Sequence, residues 1–298
     1  MIVPAYRDFI TAAVIEQAAR LRMVVVPFIG VDRVDIEAAT KRGVLVCNSP
    51  RLEKFVGVAE ATIGAVLMLL NRVKHNEVKL RGGGWRVPGD YGDVLFGKTV
   101  GLVGLGRIGS QVARRLVAWD VRLLARDPYV PEGHFLRVGA RRSNLHTLLR
   151  EADVVSLHVV LTPETYHMIG ARELALMKPS AILINTARGG VVDEAALAVA
   201  LRERRLAGAA LDTFEVEPLP ALSPLRSLDP ARVILNPHDI GQSDVARRAN
   251  IEMAIETVLT VAQGRLPDCV LNPEVIPAWK KRFGVRREPR GALLKVSR

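Results

Sequence analysis

The sequence predicts an α/β protein built on a doubly wound parallel sheet, with a second, smaller α/β domain. Three observations carry this. Short apolar runs alternate with helix-period segments over most of the 298 residues. One such run, Thr99–Val103, leads straight into a G-x-G-x-x-G formed by Gly104, Gly106 and Gly109. The next apolar run, Val121–Ala125, ends at an acid, Asp127, eighteen residues after Gly109. Strand, glycine turn, helix, strand and acid in that order form the Rossmann-type dinucleotide-binding unit.

In chain order, Met1–Val3 reads as a strand end and Pro4–Phe9 as a loop. Ile10–Ala19 has helical spacing, with Thr11 placed to cap it. Arg22–Val26 is a strand, Phe28–Asp32 a glycine-containing loop, Asp35–Arg42 a helix stopped by Gly43, and Val44–Cys47 a strand. Val56–Arg72 is a long apolar helix linking the two domains, and Arg81–Gly92 a polar glycine-rich loop. After Thr99–Val103 the helix Ser110–Trp119 places Val112, Leu116 and Trp119 on one face. Strands at Val154–Val159, Ala181–Asn185, Ala207–Leu211 and Val233–Leu235 then alternate with helices at Leu145–Arg150, Ala171–Met177 and Asp193–Arg204. Ser243–Gln263 is one long helix, and the residues from Lys280 read as a basic tail, with Ala292–Val296 a candidate strand. The expected domains are 1–54 with 245–298, and 55–244.

Composition narrows the function classes. Hydrophobic residues at 49% supply real cores. The longest apolar run, near Thr62–Leu70, is too short to span a bilayer, and no secretory leader pattern opens the chain. The formal charge of +11 is spread along helices, as at Arg114-Arg115 and Arg247-Arg248, and only 5% of residues are aromatic. That argues for a solvated arginine-rich surface and against nucleic acid; such a field also steers anionic substrates. Cys47 and Cys269 lack metal-ligand spacing and read as reduced buried thiols of a cytoplasmic protein; no metal site is expected.

The glycine turn has a physical logic. Gly104 permits the tight turn, Gly106 lets a pyrophosphate approach the backbone, and Gly109 lets helix and strand pack closely. The helix N-terminus presents N–H groups to phosphate. Asp127 can accept from an adenosine ribose and repels a 2′-phosphate, which favours NAD over NADP; Arg126 beside it could partner a phosphate and keeps NADP open. At other strand ends stand Thr162, Arg188, Asp212, Glu217 and His238. Arginine, glutamate and histidine together suit a hydride transfer. The arginine holds a carboxylate bidentately, the histidine exchanges the carbonyl or hydroxyl proton, and the glutamate fixes the imidazole tautomer.

Across most of residues 10–272 the chain resembles the D-isomer-specific 2-hydroxyacid dehydrogenase family, which includes phosphoglycerate and glyoxylate/hydroxypyruvate dehydrogenases. The matching segments are Gly30–Asp35, Val58-Ala59-Glu60, Gly97–Gly109, Leu161–Thr165, Asn185–Leu197, Ala209–Pro218 and Asn236–Ser243. The resemblance implies a flavodoxin-like substrate domain beside the Rossmann domain, and a homodimer formed around Val56–Arg72. Its implied catalytic set is Arg188, Glu217 and His238. Cofactor contacts are implied at Gly104, Gly106, Arg107, Ile108, Gly109, Asp127, Thr162, Thr186, Ala187, Asp212, His238 and Gly241. Substrate contacts are implied at Gly30, Val31, Arg188 and His238, with Tyr6, Arg7 and Phe28 at the far end. The activity implied is NAD-dependent interconversion of a D-2-hydroxy acid and its 2-oxo acid. The alternative is an NAD(H)-binding member that senses nucleotide, as transcriptional co-repressors of this fold do.

Three departures from the family pattern stand out. Val160 replaces a usual proline, Phe28 a frequent glycine, and Asp239 a usual apolar residue; pointing inward, Asp239 would favour protonated His238. Members also carry a further strand, helix and connection before the point that matches Met1. Either the start lies too late or the substrate domain is incomplete, with Ala292–Val296 then the candidate to extend its sheet.

Overall fold

The computed structural model describes residues 1–5 and 8–284, so Tyr6, Arg7 and the candidate strand Ala292–Val296 lie outside the described residues. The chain divides into two compact units, one formed by Met1–Lys54 with the segment from Ser243 onward, the other by Phe55–Gln242.

The smaller unit contains α1 (Ala12–Gln17), β1 (Met23–Val25), α2 (Ile36–Lys41) and β2 (Leu45–Cys47). Asp35 caps α2 by accepting from the Ala38 N–H, and Gly43 leaves the helix at φ +70°. Thr11 occupies the N-cap position of α1 without a side-chain cap bond. β1 and β2 pair in parallel, Met23 opposite Leu45, and Ile2 adds a single parallel bridge to Val24. Side-chain alternation gives this small sheet two buried faces. Val24 and Val46 pack with Ile15 and Ala39 of the first two helices. Met23, Val25, Leu45 and Cys47 face residues from the C-terminal part of the chain, including Trp279.

In the larger unit α3 (Leu52–Leu70) is followed by α4 (Val73–Arg81), a helix the sequence pattern did not announce because none of its residues is buried. Seven parallel strands follow: β3 (Thr99–Val103), β4 (Arg122–Arg126), β5 (Arg141–Arg142), β6 (Val154–Leu157), β7 (Ile182–Asn185), β8 (Gly208–Leu211) and β9 (Val233–Leu235). Their spatial order is β5-β4-β3-β6-β7-β8-β9. The direction of winding reverses between β3 and β6, which is where such sheets open a crevice at their carboxyl ends. The intervening helices are α5 (Arg107–Leu116), α6 (Glu132–Arg137), α7 (Leu145–Glu151), α8 (Ala171–Leu174) and α9 (Glu194–Arg202). Back in the smaller unit, α10 (Asp244–Ala262) and α11 (Ile276–Phe283) complete the described chain, so Lys280–Phe283 are helical rather than tail.

Both faces of the large sheet are buried. Val103, Leu124, Val155, Leu157, Leu183 and Leu211 pack with α7, α8 and α9 on one side. Val100, Leu102, Ala125, Val154, Ile184 and Ala210 pack with α3, α5 and α6 on the other. Gly101 sits mid-strand because a Cβ there would lie 2.4 Å from the Leu148 side chain. The face expected for Ser110–Trp119 holds for Val112 and Leu116 only. α5 ends at Leu116, a tighter turn takes over, and Trp119 rotates out to 39% exposure. Asp153 ties two strands and a loop together: its carboxylate accepts from the Thr99 N–H (2.8 Å) and from Lys178 Nζ (2.7 Å). Burial pushes this carboxyl up, but those two donors outweigh it and hold it below the usual carboxylate range. Among the described residues, no single helix is long and apolar enough to cross a membrane.

Candidate active site

The carboxyl ends of the large sheet carry almost every residue singled out above. At the end of β3, Gly104 turns at φ +98°, and a Cβ on it would lie 2.6 Å from the His158 carbonyl oxygen. A Cβ on Gly109 would lie 2.1 Å from the Gly104 carbonyl oxygen, so helix and turn are in backbone contact there. Gly106 differs. It adopts φ −67°, open to any residue, and a Cβ would meet nothing within 4 Å. Neither backbone conformation nor packing against the protein asks for glycine at that position; close approach by a ligand does. Gly106 is also the N-cap of α5 and no side chain caps that helix, so the N–H groups of Arg107, Ile108 and Gly109 are presented at a positive dipole end. The residues present therefore fit a dinucleotide pyrophosphate. Arg107 stacks its guanidinium over Phe55, 5.3 Å from the ring centroid.

Asp127 lies just past β4 and braces the same turn. Its Oδ2 accepts from the Leu105 N–H (2.8 Å) and its Oδ1 from the Tyr129 N–H (2.9 Å). A carboxylate oxygen has a second lone pair, so these bonds leave acceptor capacity for a ribose. Under the turn, His158 follows β6, with its Nε2 3.0 Å from Ser156 Oγ; desolvation pushes its imidazole down to about 4. Desolvation thus favours the neutral imidazole beside the glycine turn. Further along, the Thr165 hydroxyl accepts from the Thr162 N–H (2.8 Å) and donates to the Val160 carbonyl (2.6 Å). That side chain braces the turn in which Val160 replaces the family's proline.

Past β7, Asn185 organises the loop that carries Arg188. Its Nδ2 donates to the Arg188 carbonyl (2.9 Å) and its Oδ1 accepts from the Ala187 N–H (3.1 Å). Thr186 is buried with its hydroxyl 3.1 Å from that of Thr62, which donates to the Val58 carbonyl; Thr186 is therefore the donor, tying the loop to α3. Arg188 is half-buried, and its Nη1 reaches the Ala187 carbonyl at 2.8 Å. Gly189 lies flat on the segment after β8, where a Cβ would sit 1.9 Å from the Phe214 carbonyl carbon.

Asp212, 4% exposed at the end of β8, gathers the loop that holds His238. Asn236 Nδ2 (2.5 Å), the Asp239 N–H (2.9 Å) and the Ile240 N–H (3.0 Å) all donate to its Oδ1. Three bonds to one carboxylate oxygen hold the His238 backbone at φ +55°. Gly241 closes that loop against α3, where a Cβ would come 2.4 Å from the Val58 nitrogen. Its glycine thus has a packing reason in this structure, whatever else it contacts. Asp239 is exposed rather than turned inward.

His238 and Glu217 meet. The imidazole Nδ1 lies 2.9 and 3.0 Å from the two Glu217 carboxylate oxygens. The Phe214 N–H donates to Oε1 of the same carboxylate (3.1 Å). Burial pushes Glu217 up, but the bond to His238, the Phe214 N–H and the charges of His238 and Arg188 outweigh it and hold the carboxyl below its ordinary range. Arg188, Glu217 and His238, taken from three separate strand ends, thus form one electrostatic cluster. Behind it, Glu194 and Glu215 each accept the other's backbone N–H (2.6 and 2.9 Å), and His167 Nε2 lies 3.2 Å from Glu215. These contacts fasten the 214–217 segment to the start of α9.

Gly30 and Val31 fall in the loop after β1 in the smaller unit, with Asn48 Nδ2 donating to the neighbouring Ile29 carbonyl (2.7 Å). Sequence reasoning missed Asn185, Asn236 and Thr62. For the two asparagines the available signal was a buried-strand run ending in an amide. Among the described residues no cluster of histidine, cysteine and acidic side chains could hold a metal.

Residues 63–239 match the family model described as D-isomer specific 2-hydroxyacid dehydrogenase, NAD binding domain. A glyoxylate reductase of Thermofilum pendens is 41% identical over 281 residues, spanning 90% of this chain and 80% of that one. A D-3-phosphoglycerate dehydrogenase of Methanocaldococcus jannaschii is 39% identical over 272 residues, 91% of this chain; the chain spans 51% of that longer relative. Among solved structures, a D-lactate dehydrogenase from Aquifex aeolicus, complexed with NAD and lactic acid, superposes with a TM-score of 0.80 at 31% identity, covering 87% of this chain and 81% of that one. By its matched domain and by these relatives, the chain belongs to the D-isomer specific 2-hydroxyacid dehydrogenase family.

Proposed function

We propose that the protein is an NAD-dependent oxidoreductase interconverting a D-2-hydroxy acid and its 2-oxo acid. The observation that carries this is the Nδ1 contact of His238 with Glu217, under the charge of Arg188, in the unit that holds the open Gly106 turn. When bound, the nicotinamide dinucleotide supplies or accepts the hydride at C2. Gly104, Gly106, Arg107, Ile108 and Gly109 hold its pyrophosphate, Asp127 its ribose, and Thr162, Thr186, Ala187, Asp212 and Gly241 line its path. The Asp127 carboxylate favours NAD over NADP.

In the reductive direction Arg188 binds the substrate carboxylate and polarises the neighbouring carbonyl. Glu217 accepts from Nδ1–H, which fixes the tautomer and stabilises the imidazolium. His238 Nε2 then gives its proton to the carbonyl oxygen as the hydride arrives; in oxidation it takes the hydroxyl proton. Asp212 acts as a positioning group, because its three donors set where the imidazole stands. Gly30 and Val31 supply backbone donors to the substrate carboxylate, with residues 1–54 and 245–298 as the substrate domain and 55–244 as the cofactor domain. The reading includes a cytoplasmic homodimer. The exposed apolar residues Trp85, Tyr91 and Phe96, which follow α4, support a covered surface there, and light scattering of the purified protein tests it.

The decisive experiment is NADH oxidation followed by absorbance, with glyoxylate, hydroxypyruvate, pyruvate and phosphohydroxypyruvate in turn. Turnover of one of them is the expected result. Tight NADH binding with no oxidation by any of them overturns the enzymatic reading in favour of nucleotide sensing.

A further inference from the structure

The chain has two cysteines, far apart in sequence, and the smaller unit brings them together. Cys47 ends β2. An antiparallel bridge joins it to Val270, and the Leu271 N–H donates to the Val46 carbonyl (2.8 Å), laying the 269–271 segment along the strand end. Both cysteines are free and both belong to one apolar cluster with Met23, Leu45, Ala254 and Trp279. They are not equivalent. Cys47 is fully enclosed, while Cys269 keeps 9% of its surface and has Thr257 Oγ1 3.4 Å from its sulfur.

We propose that Cys47 and Cys269 form a dithiol site that a hydroperoxide converts into an intrachain disulfide. Cys269 reacts first, because it is the residue of the pair that keeps any surface exposed. The Cys47 S–H bond holds the Cys269 thiol below its ordinary range and its own thiol above it, so thiolate collects on Cys269. That thiolate attacks a peroxide oxygen, the O–O bond breaks, and the departing hydroxide leaves as water after taking a proton; Cys269 becomes a sulfenic acid. The Cys47 sulfur, from the same buried cluster, attacks the Cys269 sulfur. The S–O bond breaks, and hydroxide departs as a second water with the Cys47 proton. Two thiols lose two electrons in all, and hydrogen peroxide gains them. Enclosure of both residues in one cluster lets this second step outrun over-oxidation. The product joins residues 1–54 covalently to the segment from Ser243 onward, which together build this unit.

The test uses the full-length protein, native, with hydrogen peroxide. The expected intact mass falls by about 2 Da, the two hydrogens of a disulfide. Peptide mapping then finds the Cys47 and Cys269 peptides linked, and dithiothreitol separates them. The thermal midpoint of the oxidised form rises by roughly 5 °C and returns on reduction, because the cross-link restricts the unfolded chain. Cys269→Ser abolishes the reaction, whereas Cys47→Ser stops at a sulfenic acid that dimedone captures. Oxygen addition of about 16 or 32 Da without a linked peptide overturns the proposal. So do two unreacted thiols after prolonged peroxide. Mapping of the wild-type protein decides the matter alone if either variant fails to fold.

Discussion

The glycine turn and the histidine cluster occupy the same edge of the same sheet and are built in opposite ways. The turn is local. Residues 99–127 contain its strand, its glycines, its helix and its acid, and backbone approaches as close as those at Gly104 and Gly109 make the shape. The cluster is assembled from the ends of β7, β8 and β9, and side-chain bonds to backbone make its shape: Asn185 on the Arg188 loop, Asp212 on the His238 loop, the Phe214 N–H on Glu217. A phosphate needs only N–H groups and room. A proton transfer, the role proposed for His238, needs an imidazole placed to within a fraction of an ångström, and three tethered loops fix where this imidazole stands.

The contrast makes predictions that separate the two regions. The largest effect is expected from His238→Ala: a fall in kcat of about 10²–10⁴ with NADH affinity, measured by fluorescence titration, unchanged. Unaltered turnover removes His238 from the reaction. Next come two glycines three positions apart. Gly109→Ala puts a methyl against the Gly104 carbonyl and costs on the order of 3 kcal/mol of stability in urea unfolding. Gly106→Val costs about 1 kcal/mol or less in urea unfolding, the N-cap preference for glycine over valine, because nothing in the protein meets its side chain, yet it weakens NADH binding by roughly tenfold or more. If both variants lose stability equally, Gly106 has a packing role and the ligand argument falls.

The smallest effect belongs to Asp153, at the opposite end of the strands. Its folded pKa is depressed, so its contribution is complete above the unfolded value near 3.9 and disappears as pH falls through the lower folded value. Asp153→Asn should cost about 1–2 kcal/mol at pH 7, with the gap from wild type closing as pH falls through the depressed folded value and NADH oxidation unaffected.

How legible each region was follows from how it is built. Thr99–Val103 and Val233–Leu235 are strands with the bounds the apolar runs predicted, since a strand buried on both faces is written as a continuous apolar segment. Arg188, Glu217 and His238 stood out because each follows such a run. The asparagines that position two of their loops did not, because a side chain bonded to a loop carbonyl (Asn185) or to a buried carboxylate (Asn236) leaves no periodic trace. α4 was missed for want of a buried face, and β5 because both its residues, Arg141 and Arg142, are exposed arginines. Trp119 misled because helical spacing continues in the sequence past the point where the helix tightens. The cysteines were read as separate thiols; their meeting depends on a tertiary bridge that spacing does not encode.

The smaller unit is made from both ends of the described chain, and this has a consequence on the ribosome. Met23, Val25, Leu45 and Cys47 find their cover only when the residues of α10 and α11 emerge. The whole of Phe55–Gln242 is synthesised in between, a delay on the order of ten seconds or more at ordinary elongation rates. During that time the larger unit has its full sequence available and folds first, while the nascent β1–β2 pair waits with one apolar face bare. That face is where a chaperone would bind the growing chain.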